Sequence, residues 1–170
     1  MKAKLIVEGC VWKFGDDVNT DIIIPGRYLT ITEPYELAKF AFQDLDPDFH
    51  KKVNGGDVIV GGKNFGCGSS REQAPLVLKT LGIGAVVAES FARIFFRNAI
   101  NLGLPVVECP GIADAVKKGE TLRITLEEGK IENVSTGKTM RGTVLPGFLI
   151  DIIRAGGAVA ALNAKIRRAR

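Results

Sequence analysis

Between Asp57 and Val107 short apolar runs alternate with amphipathic stretches, and no other feature of the 170 residues constrains the fold so tightly. Asp57-Val58-Ile59-Val60, Ala85-Val86-Val87-Ala88 and Leu104-Pro105-Val106-Val107 are too short for helices and rich in β-branched residues. Such runs are strands buried on both faces. Between them, Glu72 to Leu81 and Phe91 to Asn101 read as helices, closed by Gly82 and Gly103. A strand–helix–strand–helix–strand order calls for a mainly parallel sheet flanked by helices and joined by right-handed crossovers. The fold class is therefore α/β.

The flanking segments add to this unit. A first strand is expected over Lys4 to Val11, ending at the Phe14-Gly15-Asp16-Asp17 turn. Ile22-Ile23-Ile24 is a short buried run stopped by Pro25-Gly26, and Pro34 opens a helix from Tyr35 to Phe42. Leu122-Arg123-Ile124-Thr125-Leu126 alternates apolar and polar residues, turns through Glu127-Glu128-Gly129-Lys130 and resumes at Ile131, a hairpin signal. Further β structure runs from Asn133 to Thr143 as an additional β layer. A helix from Phe148 to Arg154, a Gly156-Gly157 break and a last helix complete one domain over residues 1–170.

Charge and cysteine usage exclude several function classes. The formal net charge of +4 is matched by Lys165, Arg167, Arg168 and Arg170 alone, so the body of the chain is balanced. This basic tail, about residues 163–170, suits a helix C-terminus. Without a basic stripe or interleaved aromatics it does not point to nucleic acid. Cys10, Cys67 and Cys109 form no metal-ligand spacing, and His50 is the single histidine. A His-based metal site and a Ser-His-Asp triad within the chain are thereby excluded, and no metal is expected on it. No apolar run approaches the ~18 residues of a membrane span, and Leu5-Ile6-Val7 is too short for a signal core. The expectation is a cytoplasmic protein with reduced thiols. Cys10, Cys109, Trp12 and Phe14 read as core residues, and His50 as a surface residue.

The chemistry concentrates in Asn64-Phe65-Gly66-Cys67-Gly68-Ser69-Ser70-Arg71-Glu72. Gly66 and Gly68 permit positive φ and a close backbone approach to a ligand. The following helix N-terminus offers unpaired N–H donors to an anion. Arg71 can grip a carboxylate through two N–H groups, and Ser69 and Ser70 supply hydroxyls. The same serines could equally cap the helix, with Glu72 completing a capping box. The Gly-Lys-Ser/Thr ending of a phosphate-binding loop is missing, and Arg71 stands where the dinucleotide fingerprint needs its third glycine.

Together with Glu89-Ser90-Phe91-Ala92-Arg93-Ile94-Phe95, Arg97-Asn98-Ala99-Ile100-Asn101, Phe14-Gly15-Asp16-Asp17-Val18-Asn19-Thr20-Asp21-Ile22-Ile23-Ile24-Pro25 and Ala155-Gly156-Gly157, this loop resembles the swivelling β/β/α domain of the aconitase superfamily, in the form found in isopropylmalate dehydratase small subunits. The resemblance covers nearly the whole chain in the family's order. It implies one part of a two-subunit hydro-lyase that interconverts 2- and 3-isopropylmalate by dehydration and rehydration in leucine biosynthesis. It also implies a [4Fe–4S] cluster carried by a separate large subunit, as heterodimer or heterotetramer, and an isolated small subunit without activity. By motif match Ser69 is the base, Arg71 the carboxylate clamp and Asp21 an organiser of the site, with Ser70 and Gly68 supporting the substrate. Cys67 is then a small residue beside the loop. Arg93 and Arg97, four apart on one helix, either face the partner subunit or pair with Glu89.

Arg27-Tyr28-Leu29-Thr30-Ile31-Thr32 resembles the family's specificity loop. Relatives acting on a third carboxylate, such as homoaconitate, place an arginine where Thr30 stands. Threonine cannot neutralise a carboxylate, while Leu29 and Ile31 offer apolar surface beside Tyr28. The expected substrate is an alkylmalate, isopropylmalate first, with citramalate or dimethylmalate as alternatives. A dicarboxylate-binding module without catalysis is the alternative of another class.

Overall fold

The computed structural model of the chain describes residues 2–169. Its elements in order are β1 (Ile6–Lys13), α1 (Thr20–Ile23), α2 (Pro34–Ala38), α3 (Phe49–Lys52), β2 (Val58–Gly61), α4 (Gln73–Thr80), β3 (Ala85–Ala88), α5 (Arg93–Leu102), β4 (Val106–Glu108), α6 (Ile112–Ala115), β5 (Thr121–Thr125), β6 (Lys130–Asn133), β7 (Thr139–Arg141), α7 (Gly147–Arg154) and α8 (Ala158–Arg168). The three apolar runs are neighbouring parallel strands, β2, β3 and β4, and every residue of β2 and β3 is buried. The expected α/β class and flanking helices are present.

The added β structure is continuous with the parallel part, in one sheet of order β4-β3-β2-β1-β5-β6-β7. β1 is the junction. Its first half, Ile6 to Cys10, pairs antiparallel with β5, and its second half, Val11 to Lys13, pairs parallel with β2. That double pairing carries the strand two residues past its expected end at Val11, since Trp12 and Lys13 find partners in Ile59 and Val60. The sheet then curls until its ends meet: the Thr143 amide donates to the Glu108 carbonyl (2.7 Å).

Two segments depart from the expected elements. The Ile22–Ile24 run, with Ile22 half-buried, starts inside a helical turn, because Asn19 caps it by accepting from the Ile22 amide (2.8 Å). The helix opened by Pro34 stops at Ala38, four residues early, and Phe42 adopts a φ of 54°. Its ring stacks on Phe14 and meets Phe49 edge-on, so packing overrides helix continuation. Cys109 is core as expected, while Cys10 and His50 are half-buried. α8 runs through Lys165, Arg167 and Arg168 with no buried residue; Arg170 lies outside the described residues. No single helix among the described residues is long and apolar enough to cross a membrane.

Candidate active site

The loop from Asn64 to Glu72 leaves the C-terminal end of β2, the end at which parallel α/β sheets hold their ligands. It is stitched between two other strand-end segments. On one side the Gly66 amide donates to the Val18 carbonyl (2.7 Å), and the Thr20 amide to that of Cys67 (2.9 Å). On the other the Phe65 amide donates to the Ser90 carbonyl (3.0 Å), and the Ala92 amide to that of Phe65 (2.9 Å). The path requires left-handed backbone at Gly66 (φ 80°) and Gly68 (φ 92°). At Gly66 it also requires the absence of a side chain, since a Cβ would lie 2.6 Å from Phe95 Cδ2.

The serines are not spent on capping. α4 begins at Gln73 behind Glu72, which makes no side-chain cap, and both Ser69 and Ser70 are exposed. Among the described residues the one hydrogen-bond partner of the Ser69 hydroxyl is Thr20 Oγ1, at 3.5 Å, while that threonine donates to the Ser69 carbonyl at 2.9 Å. Thr20 is buried, so the backbone of Ser69 is fixed and its hydroxyl is left available.

Arg71 is already oriented. Its Nη1 donates to Asp21 Oδ1 (2.7 Å) and to the Ile24 carbonyl (3.1 Å), and its side chain is 20% exposed. The Arg71 guanidinium, followed by the Gly26 amide, lowers the Asp21 carboxyl below the usual carboxylate range. Nε and Nη2 of Arg71 have no acceptor among the described residues and remain for a ligand. Thr20, Gly66, Gly68, Ser69 and Arg71 face an open cleft of about 480 Å³ whose opposite wall is the first turns of α5: Arg93, Ile94, Arg97 and Asn98.

Ser69, Arg71 and Gly68 are thus brought together, with Asp21 behind Arg71. Ser70 is exposed on the same loop and does not border the cleft. Tyr28, Leu29, Thr30 and Ile31 lie outside its lining too. Tyr28 stacks on Phe40, Leu29 and Ile31 rest partly buried on the core, and Thr30 is exposed. This loop reaches the site through Gly26, whose amide bonds Asp21, and Arg27 is turned away into an ion pair with Asp44. Sequence reasoning did not assign Arg93, Arg97 and Asn98 to the cleft. Of the two alternatives for these arginines, the Glu89 pairing is not formed, since Glu89 accepts from the Gly111 (2.8 Å) and Ala113 (3.0 Å) amides. The signal was the i, i+4 spacing of two arginines at the start of a helix.

Burial and the nearby Asp17 push the Cys67 thiol above its ordinary value, which suits a neutral side chain rather than a thiolate. Among the described residues no group of three or more His, Cys, Asp or Glu side chains could hold a metal ion. The described residues therefore do not fit an iron–sulfur ligand set.

Residues 14–110 match the Aconitase C-terminal domain family. Over 161 residues, 95% of this chain and 96% of the relative, the sequence is 57% identical to the isopropylmalate/citramalate isomerase small subunit of Methanocaldococcus jannaschii. It is 54% identical over 164 residues to 3-isopropylmalate dehydratase small subunit 1 of Methanopyrus kandleri, covering 96% of both chains. It is 53% identical over 159 residues to the 3-isopropylmalate dehydratase small subunit of Aquifex aeolicus, covering 93% of this chain and 95% of the relative. The fold matches a crystal structure of 3-isopropylmalate dehydratase from Methanocaldococcus jannaschii with a TM-score of 0.89 at 48% identity, covering 95% of both chains.

Proposed function

The chain belongs to the Aconitase C-terminal domain family, and on that premise we propose that it is the small subunit of a two-subunit hydro-lyase that interconverts 2- and 3-isopropylmalate in leucine biosynthesis. The observation that carries this reading is the open cleft where an uncommitted Ser69 hydroxyl stands beside an Arg71 already fixed by Asp21.

Dehydration next to a carboxylate needs a base for the carbon-bound proton, a place for the charge that develops and a path for the departing hydroxyl. Ser69 Oγ is the base and takes the proton as an alkoxide; in rehydration it returns it. The developing charge runs into the adjacent carboxylate, which Arg71 holds through the donors Asp21 leaves free. A serine alkoxide is unfavourable in water and is favoured here by the guanidinium and by the uncapped amides before α4. A pure binding module would use the grip and have no need of an available hydroxyl beside it.

Departure of the hydroxyl is the step for which this chain is not equipped, and the missing group belongs to the partner. The family's iron–sulfur chemistry supplies a Lewis acid, and we assign the [4Fe–4S] cluster to the large subunit. We assign substrate choice to Tyr28 to Ile31, whose loop reaches the site through the Gly26 amide bonded to Asp21. Arg27 is engaged by Asp44 and Thr30 is uncharged, which supports an alkyl group over a third carboxylate. Citramalate is the second reading, favoured by the name of the isopropylmalate/citramalate isomerase small subunit of Methanocaldococcus jannaschii.

The test is co-purification with the cognate large subunit and assay against isopropylmalate, citramalate, dimethylmalate and homoaconitate. Turnover of isopropylmalate by the complex, and none by this chain alone, is expected. Turnover by the isolated chain, or none by the complex, overturns the proposal.

A further inference from the structure

Arg93 and Arg97 have no part in the reading above. They stand one turn apart on the exposed face of α5 and border the same cleft as Ser69 and Arg71. Arg27, Arg71, Arg123 and Arg154 each hold a carboxylate, on Asp44, Asp21, Glu8 and Glu127. Arg93 and Arg97 hold none among the described residues. Glu89 is committed to the amides of Gly111 and Ala113. Glu108 borders a second cleft with both arginines, accepts from the Phe91 amide (3.4 Å) and forms no ion pair among the described residues.

Three guanidiniums border one cleft, and among the described residues Asp21 is the one carboxylate bonded to any of them, so the cleft favours an entering anion. Asn98 adds a side-chain amide to the same wall. One arginine already set by Asp21 suits one carboxylate. A second pair on the facing wall suits another on the same molecule.

We propose that Arg93 and Arg97 form a second carboxylate subsite of this cleft, so that a dicarboxylate spans from Arg71 across to α5. The inference rests on the proposed hydro-lyase reading and names what that reading leaves open: the groups that make the site select a dianion. Arg71 takes the carboxylate into which charge develops, and the α5 pair takes the other. The reacting carbon is thereby held between them at Ser69.

The experiment uses the assembled two-subunit complex with Arg93→Gln, Arg97→Gln, the double variant and Arg97→Lys. Calorimetry with succinate and with butyrate reads the subsite without requiring turnover. Steady-state assays and titration of small against large subunit are run in parallel. Removing a charge-assisted bond of about 1.5–3 kcal/mol predicts a loss of about tenfold or more in succinate affinity for each Gln variant. Butyrate binding and subunit affinity are expected to stay unchanged, and Arg97→Lys to fall between wild type and Arg97→Gln. Unchanged succinate binding, or a loss confined to subunit affinity, overturns the proposal and makes the pair part of the subunit interface. Failure of the wild-type complex to turn over any alkylmalate, with succinate still bound through the pair, instead sinks the hydro-lyase reading.

Discussion

Replacing Gly66 by alanine should damage the protein much more than the same change two residues later. At Gly66 two costs combine. The φ of 80° costs an L-residue about 1–2 kcal/mol. The new methyl also drives into Phe95, which is 2% exposed and packed against Phe65 (5.4 Å) and Phe91 (6.2 Å), so the ring gives way at the expense of that aromatic cluster. Overpacking of this kind costs about 1–3 kcal/mol. The sum, about 2–5 kcal/mol, is a large share of the roughly 5–15 kcal/mol that holds a domain together. Gly68→Ala meets the same backbone penalty at φ 92°, but its Cβ would find only ordinary contacts, Asn19 Cβ at 3.4 Å being the nearest. Urea unfolding of the two variants beside wild type, followed by circular dichroism at constant m, measures both. Gly66→Ala should unfold at clearly lower urea, with Gly68→Ala between it and wild type. Equal losses, or a larger loss at Gly68, would refute the claim that the loop rests on Phe95.

Other outcomes follow from the same geometry. Asp21→Asn should raise KM for the substrate several-fold with a smaller change in kcat, because Arg71 loses the carboxylate that fixes it; the gain is modest since Asp21 is 60% exposed. The Asp21 carboxyl is lowered in the folded state, so its pairing with Arg71 is complete above the ordinary carboxylate range and is lost as pH falls through the lowered value. A pH series of KM should show wild type and Asp21→Asn converging below the ordinary carboxylate range. Cys67 should alkylate with iodoacetamide more slowly than free cysteine at neutral pH and accelerate above the usual thiol range, as read by mass spectrometry; rapid neutral labelling would contradict a neutral, shielded thiol. Thr30→Arg in the assembled enzyme should move preference toward tricarboxylates, and an unchanged ratio of kcat/KM values would remove that loop from substrate choice.

Much of this was legible because it is local. β3 spans the four residues of its apolar run, and α4 and α5 fall within a residue or two of their periodic segments, since burial on both faces and helical spacing leave direct marks on sequence. What escaped depends on contacts between distant segments. Nothing local shows that β1 pairs with β2 and β5 at once, or that Thr143 returns to Glu108 and curls the sheet. The serine pair could not be assigned from its own surroundings, because capping and catalysis favour the same residues before a helix. In the structure neither serine caps α4, which starts at Gln73, and Thr20 holds the Ser69 backbone. The α5 wall was missed for a related reason. Two arginines at helical spacing announce a shared face, but the loop bonds at Phe65, Ser90 and Ala92 decide what that face looks onto.

The central claim, that Ser69 works as the base while Arg71 carries the grip, is tested most directly by Ser69→Ala in the reconstituted complex, with turnover and substrate binding measured on the same preparation. Isopropylmalate turnover should fall by about a hundredfold or more, with substrate affinity and subunit assembly close to wild type. Turnover within a few-fold of wild type, or a loss of binding that accounts for the lost rate, would contradict it.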